Sequence, residues 1–120
     1  MARFLIVDDS KLVRAMLKDM LLAAGHEVVA EAENGSEGKE MYFQHKPDIV
    51  ILDNLMPVEG GLDCLKNILA QDPEAKIIIV SSIGKENMID EELRIGARAY
   101  ITKPVDREAF LSAVASVLEV

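Results

Sequence analysis

Apolar residues fall along this chain in two alternating rhythms. Phe4–Val7, Ile49–Leu52 and Ile77–Val80 are short, unbroken apolar runs, the pattern of strands buried on both faces. Val28–Ala30 and Ala99–Ile101 are weaker versions of the same signal. Between them the apolar positions space out to a helical period. Leu12, Val13, Met16, Leu17, Met20 and Leu21 form one stripe, with Ser10 placed to cap its start and Gly25 to close its end. Asn34-Gly35 predicts a turn. Ser36 to His45 is the thinnest helical stripe, interrupted by Gly38 and broken by Pro47. Leu62, Leu65, Ile68 and Leu69 predict a helix stopped by Asp72-Pro73, after a loop through Pro57, Gly60 and Gly61. Gly84 punctuates the next loop; Met88, Ile89 and Leu93 then predict a helix ending at Gly96. Phe110, Leu111, Val114, Val117 and Leu118 predict the last one. Strand and helix alternating from end to end predict an α/β fold, a parallel sheet of about five strands with helices on both faces.

Composition narrows the class of molecule. The chain has 120 residues, enough for one domain with a single core, and no second, output domain is expected. Half of the residues are hydrophobic and 28% charged, which argues against disorder. A formal charge of -8, with basic residues scattered singly and no Trp, argues against nucleic-acid binding. The single cysteine, Cys64, excludes an internal disulfide and falls in a helical pattern, where a buried small hydrophobe is expected. No signal peptide and no apolar run of membrane-spanning length is visible, so a cytoplasmic, membrane-free protein is expected.

The ends of the strands carry the chemistry. The first apolar run stops at Asp8 and Asp9, the third at Asp53, the fourth at Ser81, and the last is followed by Thr102-Lys103-Pro104. Strands that all point one way bring these residues to one edge of the sheet, where open α/β folds bind ligands. Each has an ordinary explanation by itself. Asp8 and Asp9 suit the positive end of a helix dipole, Asp53 a turn, Ser81 a strand end, and Lys103 the surface before a turn proline. Their coincidence at one edge is what points to a site. Crowded carboxylates repel unless a cation sits among them. Oxygen ligands without His or Cys suit Mg²⁺. An Asp carboxylate can serve as a nucleophile toward phosphorus, with Lys103 and Ser81 contacting the phosphoryl oxygens.

Phe4–Ser10 (FLIVDDS), Ile51–Pro57 (ILDNLMP) with Gly61, Ile77–Ser82 (IIIVSS) and Ala97–Pro104 (ARAYITKP) together resemble the CheY-like receiver domains of two-component response regulators. The resemblance runs along essentially the whole chain, 1–120. It implies a doubly wound (βα)5 fold, flavodoxin-like, with strand order 2-1-3-4-5. It implies that Asp53 accepts a phosphoryl group. Asp9 would bind Mg²⁺ directly, with Asp8 assisting through water and the Leu55 carbonyl completing the protein ligands. Lys103 would contact the phosphate, and the bond to Pro104 would be cis. Ser81 and Tyr100 match the family's switch pair, in which the hydroxyl moves to the phosphate and the aromatic ring turns inward. The face formed by the helix after Gly84, the Tyr100 strand and the last helix would then change its affinity for a protein partner.

The chain also departs from the pattern. Gly60 stands where many relatives carry Asp or Asn, which predicts a more mobile loop. Leu55 and Ile83, both apolar, occupy positions that tune water's access to an acyl phosphate, and slowed hydrolysis is expected. His26 and His45 have no metal-ligand spacing and lie far from the acidic cluster in chain order, so the phosphoryl donor should be a separate histidine kinase or a small acyl phosphate. Glu86, Asp90, Glu91 and Glu92 read as a solvated acidic face that could help select a partner. A monomeric signalling module is expected, an enzyme only toward its own phosphorylation and dephosphorylation, with a chemotaxis-type or phosphorelay-shuttle output. A phosphohydrolase is the less favoured alternative, since Leu55 occupies the place of a second acid two residues after Asp53. A flavodoxin-like redox or nucleotide module would want a Gly- or Ser/Thr-rich loop where Asp8-Asp9 stands.

Overall fold

Five apolar runs become five parallel strands: β1 (Arg3–Val7), β2 (Glu27–Ala32), β3 (Ile49–Asp53), β4 (Ile77–Ser81) and β5 (Ala99–Thr102). The computed structural model describes residues 1–54, 56, 59–82 and 86–119, with only the backbone of Glu86. The strands lie in the order β2-β1-β3-β4-β5. The register sets Val7 beside Leu52, and Asp53 beside Val80. The helices are α1 (Lys11–Ala23), α2 (Gly35–His45), α3 (Gly61–Gln71), α4 (Glu86–Ile95) and α5 (Arg107–Leu118). The expected doubly wound α/β architecture is therefore present, with strand ends extended by one or two residues.

Side-chain alternation explains why the central strands need to be apolar throughout. Phe4 and Ile6 of β1, Ile49 and Ile51 of β3, and Ile78 and Val80 of β4 pack on one face with Leu17 and Leu21 of α1 and Phe110, Val114 and Val117 of α5. Leu5, Val7, Val50, Leu52, Ile77 and Ile79 point the other way, against Tyr42 of α2, Cys64, Leu65 and Ile68 of α3, and the half-buried Leu93 and Ile95. Both faces are covered, so neither face of these strands tolerates polar residues.

Side-chain caps define several helix starts. Ser10 Oγ accepts from the Val13 N–H at 3.2 Å, and an Asp106 carboxylate oxygen accepts from the Ala109 N–H at 2.9 Å. Asn34-Gly35 is not a free turn. Asn34 caps α2 by accepting from the Glu37 N–H at 2.9 Å, and Gly35 is the first helical residue. The glycine that weakened the α2 pattern has a packing role: a Cβ at Gly38 would come within 3.0 Å of the Val7 side chain. Gly25 and Gly96, with φ of 88° and 142°, follow α1 and α4 as expected.

The α1 stripe is wider in sequence than the face it buries. Leu17 and Leu21 are in the core, but Leu12 is 72% and Met16 41% exposed. Arg14 takes a buried place instead. Met16 borders a cleft lined by Val13, Leu17, Lys103, Pro104 and Val105.

Candidate functional site

The parallel sheet delivers its acidic strand ends to one place. One carboxylate oxygen from each of Asp8, Asp9 and Asp53 lies within 4.8 Å of the others, with Asp8 and Asp53 buried and Asp9 exposed. Asp8 is fixed through its main chain and one carboxylate oxygen. Its N–H donates to the Ala32 carbonyl at 3.0 Å, continuing the β1–β2 ladder. Its Oδ1 accepts from the Ser10 N–H at 2.8 Å, and its main-chain carbonyl accepts from Arg14 Nη1 at 2.6 Å. Arg14 is itself held by Glu31 of β2, Nε to Oε1 at 3.1 Å. A buried guanidinium with two acceptors thus anchors the turn that carries the acids.

Lys103 enters from the end of β5. Its N–H donates to the Ser81 carbonyl at 2.6 Å, and the following bond to Pro104 is cis, as expected. Its Nζ lies 3.2 Å from Asp8 Oδ2 and 3.5 Å from Asp53 Oδ2. Burial alone would lower the ammonium's pKa, but the Asp53 and Asp8 carboxylates outweigh it and hold the pKa above its ordinary value. Among the described residues one ammonium stands with three carboxylates, which makes this partly buried space acidic. This oxygen-only donor set fits a hard divalent cation that retains some of its water.

Beside this cluster lies a second polar group that the sequence did not announce. Asn54, the residue after Asp53, is buried, and its backbone N–H donates to the Val80 carbonyl at 3.2 Å. Its Nδ2 donates to Ser81 Oγ at 2.9 Å and reaches Glu92 Oε1 at 3.5 Å. The Ser81 hydroxyl in turn donates to the Ser82 carbonyl at 3.1 Å. Glu92 therefore departs from the expected solvated face: it is 0% exposed. The reason is helical phase, because Glu92 falls three residues after the buried Ile89. Burial pushes its carboxyl up to about 7; the Asn54 hydrogen bond pulls downward, and the Asp53 and Glu91 charges add to the rise.

Asp8, Asp9, Asp53 and Lys103 are thus brought together as the sequence predicts, and Ser81 ends the neighbouring strand. Tyr100 lies on β5 with 48% exposure, its ring on the outer side of the molecule. Leu55, Pro57, Ile83 and Gly84 lie outside the described residues. Cys64 is buried as expected, which pushes its thiol up to about 12. His26 accepts the Ala2 N–H at 3.1 Å through Nδ1 and packs edge-on against Phe4, a structural role. Sequence reasoning missed Arg14, Asn54 and Glu92. Only Glu92 left a usable signal, its spacing from Ile89.

Comparison with known proteins agrees with this geometry. The family model described as the response regulator receiver domain matches residues 4–115. A chemotaxis protein CheY from Thermotoga maritima is 44% identical over 115 residues, covering 96% of each chain. One from Bacillus subtilis is 42% identical over 116 residues, covering 97% of each. Among solved structures, a CheX–CheY–BeF3–Mg²⁺ complex from Borrelia burgdorferi superposes with a TM-score of 0.93 at 37% identity, over 97% of this chain and 88% of that one.

Proposed function

The chain belongs to the response regulator receiver domain family, and from that premise we propose that Asp53 is its phosphoryl acceptor and the surrounding charges its transfer machinery. Its full-length likeness to CheY proteins makes it a response regulator of chemotaxis-type two-component signalling. The observation that carries the finer reading is the convergence of Asp8, Asp9 and Asp53 within 4.8 Å, with Lys103 Nζ 3.5 Å from Asp53.

A carboxylate oxygen of Asp53 attacks the phosphorus of a histidine kinase phosphohistidine or a small acyl phosphate. The new P–O bond forms as the bond to the leaving nitrogen or oxygen breaks, and the leaving group keeps the electron pair. Lys103 exchanges part of its pairing with Asp53 for the incoming phosphoryl oxygens. Asp8, Asp9 and Asp53 would hold Mg²⁺, which would supply further positive charge to those oxygens. Arg14 keeps the main chain at Asp8 in place, so that little rearrangement is required on loading.

Ser81 and Tyr100 are the proposed switch. The Ser81 hydroxyl leaves its present partners for a phosphoryl oxygen, and Tyr100 turns inward. This alters the face made by α4, β5 and α5 toward a downstream protein in the cytoplasm. A ligand that stabilises only one of two arrangements suffices for such a shift.

Incubation with acetyl phosphate and Mg²⁺ followed by intact-mass measurement tests the acceptor. One phosphoryl adduct is expected in the wild type, lost with EDTA and absent in Asp53→Asn. Unchanged labelling of Asp53→Asn would assign the acceptor elsewhere.

A further inference from the structure

The buried group formed by Asn54, Ser81 and Glu92 is poorly explained as a stabilising network. Asn54 Oδ1 and Glu92 Oε2 are both buried without a hydrogen-bond partner among the described residues. Among the described residues, no cation pairs with Glu92. A half-satisfied polar cluster is less stable than apolar packing of the same shape. Its placement is more informative. It begins one residue after Asp53, includes the hydroxyl of Ser81, and ends on α4.

The geometry points to Asn54 and Glu92 as positioning residues that hold the Ser81 hydroxyl in its unphosphorylated orientation and fasten it to α4. This rests on the reading of Asp53 as acceptor and Ser81 as the moving hydroxyl. One Asn54 amide hydrogen faces Ser81 Oγ at 2.9 Å, while Glu92 Oε1, 3.5 Å from the same nitrogen, limits how the amide can turn. The Asn54 backbone is pinned to Val80, so the side chain cannot follow Ser81 without losing these contacts. When Ser81 turns to the phosphoryl group, Asn54 loses its short hydrogen bond. The Asn54–Glu92 contact is then free to readjust, and α4 carries that change outward. The pair therefore acts as a latch: it favours the resting state and links release of that state to a helix of the partner-binding face.

The latch makes a kinetic claim that a merely structural role does not. With acetyl phosphate as donor, the labelling rate follows the population of the competent arrangement. Glu92→Met removes the acceptor that steadies Asn54 and should label faster, by up to about five-fold, the weight of one typical hydrogen bond. Glu92→Gln retains an acceptor oxygen and should stay within about two-fold of wild type. Asn54→Leu should label faster, and adding Glu92→Met to it should change nothing further. Thermal melts of each variant report folding separately, and Glu92→Leu replaces Glu92→Met should the latter fold poorly. Wild-type or slower labelling by the apolar Glu92 variant overturns the latch, as does an undiminished effect of that variant in the Asn54→Leu background. If the wild type never labels at Asp53, the acceptor reading and the latch fall together. If it labels and the variants match it, only the latch falls.

Discussion

A carboxyl that must leave water to fold gives Glu92 a measurable signature. Its pKa rises from an ordinary 4.5 to about 7 in the folded protein, chiefly through burial. Between those values the folded state holds a proton that the unfolded state has released, so this residue's contribution to stability is fully present below pH 4.5. It is lost as pH climbs through about 7. Urea melts of wild type and Glu92→Gln at pH 5 and pH 8 should therefore diverge, with the glutamine variant gaining on wild type at the higher pH. A stability difference, variant minus wild type, that stays constant or falls from pH 5 to pH 8 would contradict the burial of a titrating acid. At this scale the acidic cluster was legible because its residues end apolar runs, and a shared strand direction brings those ends to one edge of the sheet. Arg14 and Glu92 were not. Charged residues in helices ordinarily face water; only tertiary packing shows that Arg14 turns inward, and for Glu92 the three-residue spacing from Ile89 was the one hint.

The turn between β3 and α3 depends on one missing side chain. A Cβ on Gly61 would strike the Asp53 carbonyl oxygen and approach the Asn54 Cα within 2.6 Å. These are backbone atoms at the end of a buried strand and cannot move aside cheaply. Gly61→Ala should cost about 1–3 kcal/mol in denaturant melts and slow labelling of Asp53 by displacing its main chain. Wild-type stability in that variant would mean that the turn has more room than this geometry allows. The three central strands were readable because burial on both faces leaves unbroken apolar runs, while the more exposed edge strands β2 and β5 left weaker ones. Helix starts were less so. Asn34-Gly35 suits a turn and a cap equally, and the side chain of Asn34 bonding to the Glu37 N–H decides for the cap. The α1 stripe misled in the opposite sense, because apolar residues such as Leu12 can remain in water without disturbing the fold.

Across the molecule, the acidic edge should make stability depend on dissolved cations. Three carboxylates converge there and two of them pair with Lys103, so an ion bound only by the folded state stabilises it in proportion to the logarithm of its concentration. Mg²⁺ at ten times its Kd should add about 1.4 kcal/mol and raise Tm by a few degrees. Asp9→Asn should abolish most of that rise, and an equal rise in both proteins would place the ion elsewhere. The sheet's alternating arrangement followed from the sequence, while its strand order came from resemblance. Local periodicity says which faces are buried but not which strands adjoin.

Cys64 gives that architecture a use unrelated to signalling. The chain's sole sulfhydryl is sealed within the packing of α3 against the sheet. An alkylating reagent meets it only when that helix lifts away, so the native chain carries its own stopwatch for local opening.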